Sequence, residues 1–169
     1  MGCGNGALCR SLVAAGYEVV GVEPDSAGIA IAREHCPDGR FYQLSVDDAP
    51  DVVLADYPEG FDVVVSTEVI EHLYAPRRLG LFASAVLRPQ GCLVITTPYH
   101  GYLKNFAISL LGAWDRHADP LWDGGHIKLF SRRTLTRLLE EGGFRVINFG
   151  GVGRLPYLWK SMIVVAEKC

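Results

Sequence analysis

The chain has 169 residues, 49% of them apolar and 21% charged, with a formal net charge of -3 at neutral pH. That length buries a substantial core in one domain without covalent staples, and the acidic balance excludes a general attraction to polyanions, so nucleic acid is not an expected partner and its binding would require a local basic patch. The five cysteines (Cys3, Cys9, Cys36, Cys92, Cys169) are odd in number and hold no C-x-x-C pair, which argues against a disulfide framework and a cysteine zinc site and fits a reducing compartment.

The chain opens on Gly2-Cys3-Gly4-Asn5-Gly6, three alternating glycines that suit a tight turn between a strand and a helix, with room for a ligand to approach the backbone. A helix is expected over 7–15, ended by Gly16, then a strand over 17–22 closing on the acidic Glu23. Asp25 is placed to cap a helix over 25–35. A short strand at 41–44 and a continuous apolar strand at 61–66 follow, then a helix over 77–87 stopped by Pro89 and a second buried strand over 91–97. Residues 99–128 form an insert rich in aromatic and polar side chains (Tyr99, His100, Tyr102, Asn105, Trp114, His117, Trp122), suited to a lid over an organic acceptor or to packing on the sheet. Ser131 begins a helix running to Glu141, closed by Gly142-Gly143, and strands at 144–149 and 161–166 end the chain. Arg132, Arg133 and Arg137 on that helix read as a solvated face.

Alternating strands and helices without a repeat or linker predict an α/β protein. No apolar run approaches the ~20 residues that span a bilayer and no signal peptide opens the chain, so a soluble, cytoplasmic protein is expected. Glycines spaced G-x-G-x-G, where dinucleotide enzymes use G-x-G-x-x-G, suit a cofactor without a pyrophosphate and favour S-adenosylmethionine over NAD.

The loop, read with Phe61-Asp62-Val63-Val64-Val65-Ser66, Glu68-Val69-Ile70-Glu71-His72 and Leu87-Arg88-Pro89-Gln90-Gly91-Cys92-Leu93-Val94-Ile95, resembles the class I S-adenosylmethionine-dependent methyltransferases over nearly the whole chain. The resemblance implies a Rossmann-like, doubly wound, mostly parallel sheet with an antiparallel last strand. Here the family's usual first strand, which should precede the glycine loop, is lacking, as in an N-terminally truncated domain spanning 1–169. It implies that Gly2, Cys3, Gly4 and Gly6 face the methionine part of the cofactor and that Glu23 accepts from the ribose hydroxyls. The Val46 backbone would meet the adenine ring, Asp47, or less favourably Asp48, its exocyclic amine, and Ser66 would close the next strand beside the ligand.

Glu68, Glu71 and His72 stand at i, i+3 and i+4, so on a helix all three would share one face. This E-x-x-E-H spacing is similar to that of the ubiquinone-pathway O-methyltransferases and the small-RNA 3′-terminal 2′-O-methyltransferases, in which it carries a divalent cation. His126 falls where the RNA enzymes supply a further histidine. Oxygen ligands suit magnesium, and two imidazoles shift preference toward manganese, iron or zinc. The same Glu-His pair can instead shape a pocket without metal, with His72 or His126 as catalytic base. O-methylation of a small phenol, catechol or diol is the leading expectation. RNA-end ribose methylation, transfer to nitrogen or carbon, a non-catalytic remnant and a NAD-dependent dehydrogenase are the alternatives.

Overall fold

The computed structural model describes residues 1–153 and 155–169. They form two compact units, Met1–Glu59 and Gly60–Cys169.

In the first unit a parallel pair, β1 (Val20–Glu23) and β2 (Arg40–Gln43), carries α1 (Ala7–Ala14), α2 (Ser26–His35) and α3 (Asp51–Asp56). β1 starts at Val20 and not at Tyr17, which is 66% exposed and offers a strand nothing to bury. Asp25 caps α2 as expected, its Oδ2 accepting from the Gly28 amide at 2.7 Å. The core gathers Cys9, Val19, Ile29, Ala32, Cys36 and Phe41, with Cys3, Leu12 and Val13 packed against it. α3 was not foreseen: it is only six residues long, buries Val53 alone as a fully enclosed side chain, and is too short to show a period.

The second unit holds a four-stranded mixed sheet in the order β3-β4-β6-β5, from β3 (Phe61–Thr67), β4 (Leu87–Pro98), β5 (Phe144–Val152) and β6 (Ser161–Lys168). β3 and β4 are parallel, while β6 runs antiparallel to both its neighbours, which gives the expected antiparallel last strand. Leu93, Ile95, Met162, Val164 and Ala166 are fully buried on this sheet, beneath Leu79 and Ala83 of α4 (Arg77–Val86) and Leu135 and Leu139 of α6 (Arg132–Glu141). A reciprocal Ser131–Thr134 capping box starts α6.

Among the described residues the strands pair as two sheets, β1-β2 and β3-β4-β6-β5, where the resemblance leads one to expect a single sheet. α4 ends at Val86, one residue short of expectation, because Leu87 already pairs with Phe61. A bulge between Phe61 and Val63 then lets β4 run through Pro89. The insert contributes α5 (Tyr102–Leu110) and a 3-10 turn at Trp114–Arg116. No helix among the described residues is long and apolar enough to cross a membrane.

Candidate functional site

The glycine loop is built from backbone. Gly2, Gly4 and Gly6 have φ of 65°, 51° and 76°, in the left-handed region that side chains resist. At Gly6 the need is doubled, since a Cβ would lie 2.9 Å from the Cβ of Ala32 on α2. The Gly2 and Cys3 amides donate to the Val22 carbonyl at 2.8 and 3.1 Å, which ties the loop to β1. Glu23, at the end of β1, accepts from the Gly4 amide at 2.9 Å with Oε2 and from the Asp25 amide at 3.1 Å with Oε1. A carboxylate gripped by two amides is fixed in direction and keeps lone pairs for further donors.

Beyond β2, residues 45–48 form a tight turn: the Asp48 carboxylate accepts from the Ser45 amide at 2.7 Å and the Ser45 hydroxyl from the Asp47 amide at 3.2 Å. Asp48 is thereby committed to the turn itself. Val46 is half-buried at its tip.

In the second unit Ser66 is buried near the end of β3, and its hydroxyl has no hydrogen-bond partner among the described residues. The helix expected over Glu68–His72 is not there. The chain breaks direction at Glu68, with φ of 52°, and forms a 3-10 turn only at Ile70–His72. Glu68 is consequently drawn off: its carboxylate accepts from the Thr96 hydroxyl at 2.9 Å and the Ser161 hydroxyl at 3.4 Å. The i, i+3, i+4 argument fails for Glu68 because it assumed a regular helix.

Glu71, His72 and His126 do come together, with one possible donor atom from each lying within 4.8 Å of the others. Glu71 is fully buried. Its Oε2 accepts from the Thr97 hydroxyl at 2.9 Å, and its Oε1 has no hydrogen-bond partner among the described residues, the nearest cation-forming group being His126 Nε2 at 3.9 Å. Burial raises the Glu71 carboxyl pKa, opposed by the Thr97 hydrogen bond. His126 is shifted down, first by burial and then by the neighbouring His72.

The sequence places His126 54 positions from His72, and the backbone brings it back. The Glu71 carbonyl accepts from the Ile127 and Lys128 amides at 2.9 and 3.0 Å. His72 Nδ1 lies 2.6 Å from the Gly124 carbonyl and 3.2 Å from that of Gly125. A carbonyl cannot donate, so Nδ1 carries the proton and Nε2 presents its lone pair. Gly125 permits the turn, since a Cβ there would stand 2.9 Å from the Trp122 carbonyl. The Trp122 ring meets both imidazoles edge-on, with centroids 5.7 and 5.4 Å away.

Thr97, Trp122 and the Gly124 carbonyl thus serve the cluster without having been singled out for it. Thr97 had a signal: Thr96 and Thr97 end an otherwise apolar strand and, with alternating faces, offer a hydroxyl on each. Thr96 took Glu68 and Thr97 took Glu71. Elsewhere in this unit α5, Leu155 and Leu158 line a mostly apolar cavity of about 410 Å³, to which Lys104 and His117 also contribute.

A family model described as a methyltransferase domain matches residues 1–148. The ubiquinone biosynthesis O-methyltransferase of Bradyrhizobium sp. (strain ORS 278) is 36% identical over 166 residues, 93% of this chain and 61% of that protein. That of Rhodopseudomonas palustris (strain BisA53) is 31% identical, covering 90% of this chain and 59% of its own length. The chain therefore spans about three-fifths of these relatives. Among solved structures, a S-adenosylmethionine-dependent methyltransferase from Methanosarcina mazei superposes with a TM-score of 0.74 at 18% identity, over 99% of this chain and 89% of that one. Magnesium protoporphyrin IX methyltransferase from Synechocystis PCC 6803 with bound S-adenosylhomocysteine gives 0.71 at 15%, over 99% and 72%. At these identities the superpositions establish a shared α/β fold.

Proposed function

Because the chain belongs to the methyltransferase-domain family, we propose that it binds S-adenosylmethionine and transfers the methyl group to an oxygen of a small phenol, catechol or diol. The observation that carries the oxygen acceptor is the Glu71–His72–His126 cluster, in which the buried Glu71 Oε1 has no hydrogen-bond partner among the described residues and lies 3.9 Å from His126 Nε2. The relatives' O-methylation in ubiquinone biosynthesis supports the same reading.

On this reading the Gly2–Gly6 loop receives the methionine part of the cofactor, Glu23 accepts from the ribose diol, and Val46 and Asp47 meet the adenine. Asp47 is preferred over Asp48, whose carboxylate is spent on Ser45. Ser66, whose buried hydroxyl has no hydrogen-bond partner among the described residues, is the cofactor residue proposed from β3. The sulfonium methyl is already activated, so the protein's task is to hold an acceptor in line with the S–methyl bond and remove its proton. His72 is set up for that: its Nδ1–H is held by the Gly124 carbonyl, and the free Nε2 lone pair takes the proton. His126, whose protonation is disfavoured, stays neutral beside it.

As the alternative to a base at His72, whose one free lone pair cannot both ligate a metal and take a proton, a divalent cation fits the same three side chains. An orphaned, fully buried carboxylate oxygen with two imidazoles is a donor set for manganese, iron or zinc more than for magnesium. Glu71, His72 and His126 would hold it, while Glu68 is turned toward Thr96 and Ser161. When bound, it would supply Lewis acidity that makes the acceptor hydroxyl easier to deprotonate.

Calorimetric titration with S-adenosylhomocysteine, followed by methyl transfer to catechols with and without manganese, tests the reading. Micromolar binding and transfer to oxygen support it, and binding without transfer to any oxygen acceptor would sink the acceptor assignment. His126 beside the Glu-His pair is the one feature that favours an RNA 3′-terminal ribose as acceptor. Transfer to a short RNA in place of catechols would establish that second reading. Absence of cofactor binding would leave a non-catalytic domain.

A further inference from the structure

The cavity of the second unit is walled on one side by a single helical stripe. Lys104, Ala107, Ile108 and Leu111, the last being the C-cap of α5, stand at i, i+3, i+4 and i+7, and all four line it. At about 1.5 Å per residue the stripe runs about 10 Å. Leu155 and Leu158 add further apolar lining, and none of Glu71, His72 and His126 belongs to it.

A backbone reversal completes the cavity. With Gly112 at φ of 58°, its amide donates to the Ser109 carbonyl at 3.2 Å and the Ala113 amide to the Ile108 carbonyl at 2.9 Å, the paired bonds of a Schellman stop. The chain then returns through the 3-10 turn, where Trp114 Nε1 donates to the Ser109 hydroxyl at 2.9 Å and His117 Nδ1 to the Ala113 carbonyl at 3.0 Å. Ala113 and His117 thereby join the lining, held by bonds that are made before any ligand arrives.

The polarity of the stripe runs against packing. Lys104 and Ile108 are 6% and 4% exposed, whereas Leu111 and Leu155 are 76% and 69% exposed. A helix packed for stability alone buries its leucines and lets its lysine reach water. Here the ammonium is held inside, Nζ donating to the Lys160 carbonyl at 3.2 Å, and the leucines are left outside.

We propose that this cavity binds an amphipathic carboxylate, its anionic head on Lys104 and its alkyl chain along the α5 stripe toward Leu111 and Leu155. The site stands apart from the cofactor and acceptor readings and does not depend on them. A volume of about 410 Å³, mostly apolar walls and a few fixed polar groups suit a small molecule. The head accepts a charge-assisted hydrogen bond from Nζ, and the chain takes the leucines out of water. One ammonium in apolar surroundings matches a singly charged head, while the second charge of a phosphate would be buried without a cation of its own.

Calorimetric titration of the full chain with octanoate, 1-octanol and acetate tests the site, with butanoate and hexanoate giving the dependence on chain length. Octanoate should saturate one site with a Kd below about 1 mM, about tenfold or more tighter than octanol. Affinity should rise about threefold per methylene from butanoate to octanoate. Lys104→Met should bring octanoate to the level of octanol and leave octanol unchanged, while Lys104→Arg keeps the preference. Ala107→Trp, which fills the middle of the stripe, should abolish binding of both and keeps the placement testable if Lys104→Met does not fold. Octanol binding as tightly as octanoate overturns the anionic head, and acetate binding as tightly overturns the apolar body. No saturation by octanoate, or an octanoate affinity unchanged in Lys104→Met or in Ala107→Trp, overturns the site.

Discussion

The glycine loop and the Glu71–His72–His126 cluster are built by opposite means. In the first unit backbone amides and positive-φ glycines make the shape, and the one carboxylate that matters, Glu23, is held by amides of residues 4 and 25. In the second unit side chains from two separate segments converge, and backbone only orients them: the Gly124 carbonyl fixes His72, and the Glu71 carbonyl receives the 127–128 amides. A backbone site tolerates changes in the side chains along it and fails at a glycine or an anchor. A side-chain site should fail at each member.

The sharpest way to break the comparison is to remove one anchor from each region and read both properties. His72→Ala should lower turnover by about 10²–10⁴-fold, the range for a lost general base, with S-adenosylhomocysteine affinity within about threefold of wild type. Glu23→Ala should do the reverse. On the proposed reading, losing a carboxylate that accepts from two ribose hydroxyls, at about 1.5–3 kcal/mol each, should lower cofactor affinity by about 10²-fold or more without changing any manganese binding at Glu71, His72 and His126. Equal losses of both properties in both variants would mean that the two regions do not act separately.

How far the sequence discloses each region follows from the same contrast. The three glycines and Glu23 are readable because their spacing acts within one loop and one strand, and the structure puts them where local rules say. The helix expected over Glu68–His72 failed because its period was read over five residues, too few to distinguish a 3-10 turn from an α-helix. Glu68 was misplaced with it. Thr97 and the Gly124 carbonyl act on residues 26 and 52 positions away, and no local pattern carries that information. α3 escaped for a related reason, being shorter than two helical turns.

Stability measurements sharpen the contrast at smaller scale. Gly6→Ala puts a Cβ 2.9 Å from the Ala32 Cβ at a φ of 76°, and strain of this kind costs about 1–3 kcal/mol. Thermal or urea unfolding should show it as a loss of stability accompanied by weaker cofactor binding. Thr97→Val keeps the shape of the side chain and removes the donor to Glu71 Oε2. It leaves a buried acceptor unsatisfied, at about 1–3 kcal/mol, and should lower the melting temperature of chelator-treated protein with cofactor affinity unchanged. A Thr97→Val protein as stable as wild type would show that the hydrogen bond is not what orients Glu71.

The smallest effect is the most specific to the buried carboxylate. Burial raises the pKa of Glu71 in the folded chain, so the folded state binds its proton more tightly than the unfolded state does. The stability this contributes is fully present below the unfolded carboxyl pKa of about 4.3, and it is lost as pH rises through the raised folded value. Glu71→Gln keeps an oxygen for the Thr97 hydroxyl and removes the charge, so it should gain on wild type as pH rises. In chelator-treated protein the difference in melting temperature, variant minus wild type, should therefore grow from pH 5 to pH 8. On the proposed cation reading, manganese should narrow or reverse it at the upper end by binding wild type more tightly, because a cation compensates the buried charge that the amide no longer carries. A difference that stays flat across the range would mean that Glu71 is ionised at no cost, and that its unpartnered oxygen is solvated in a way its burial does not suggest.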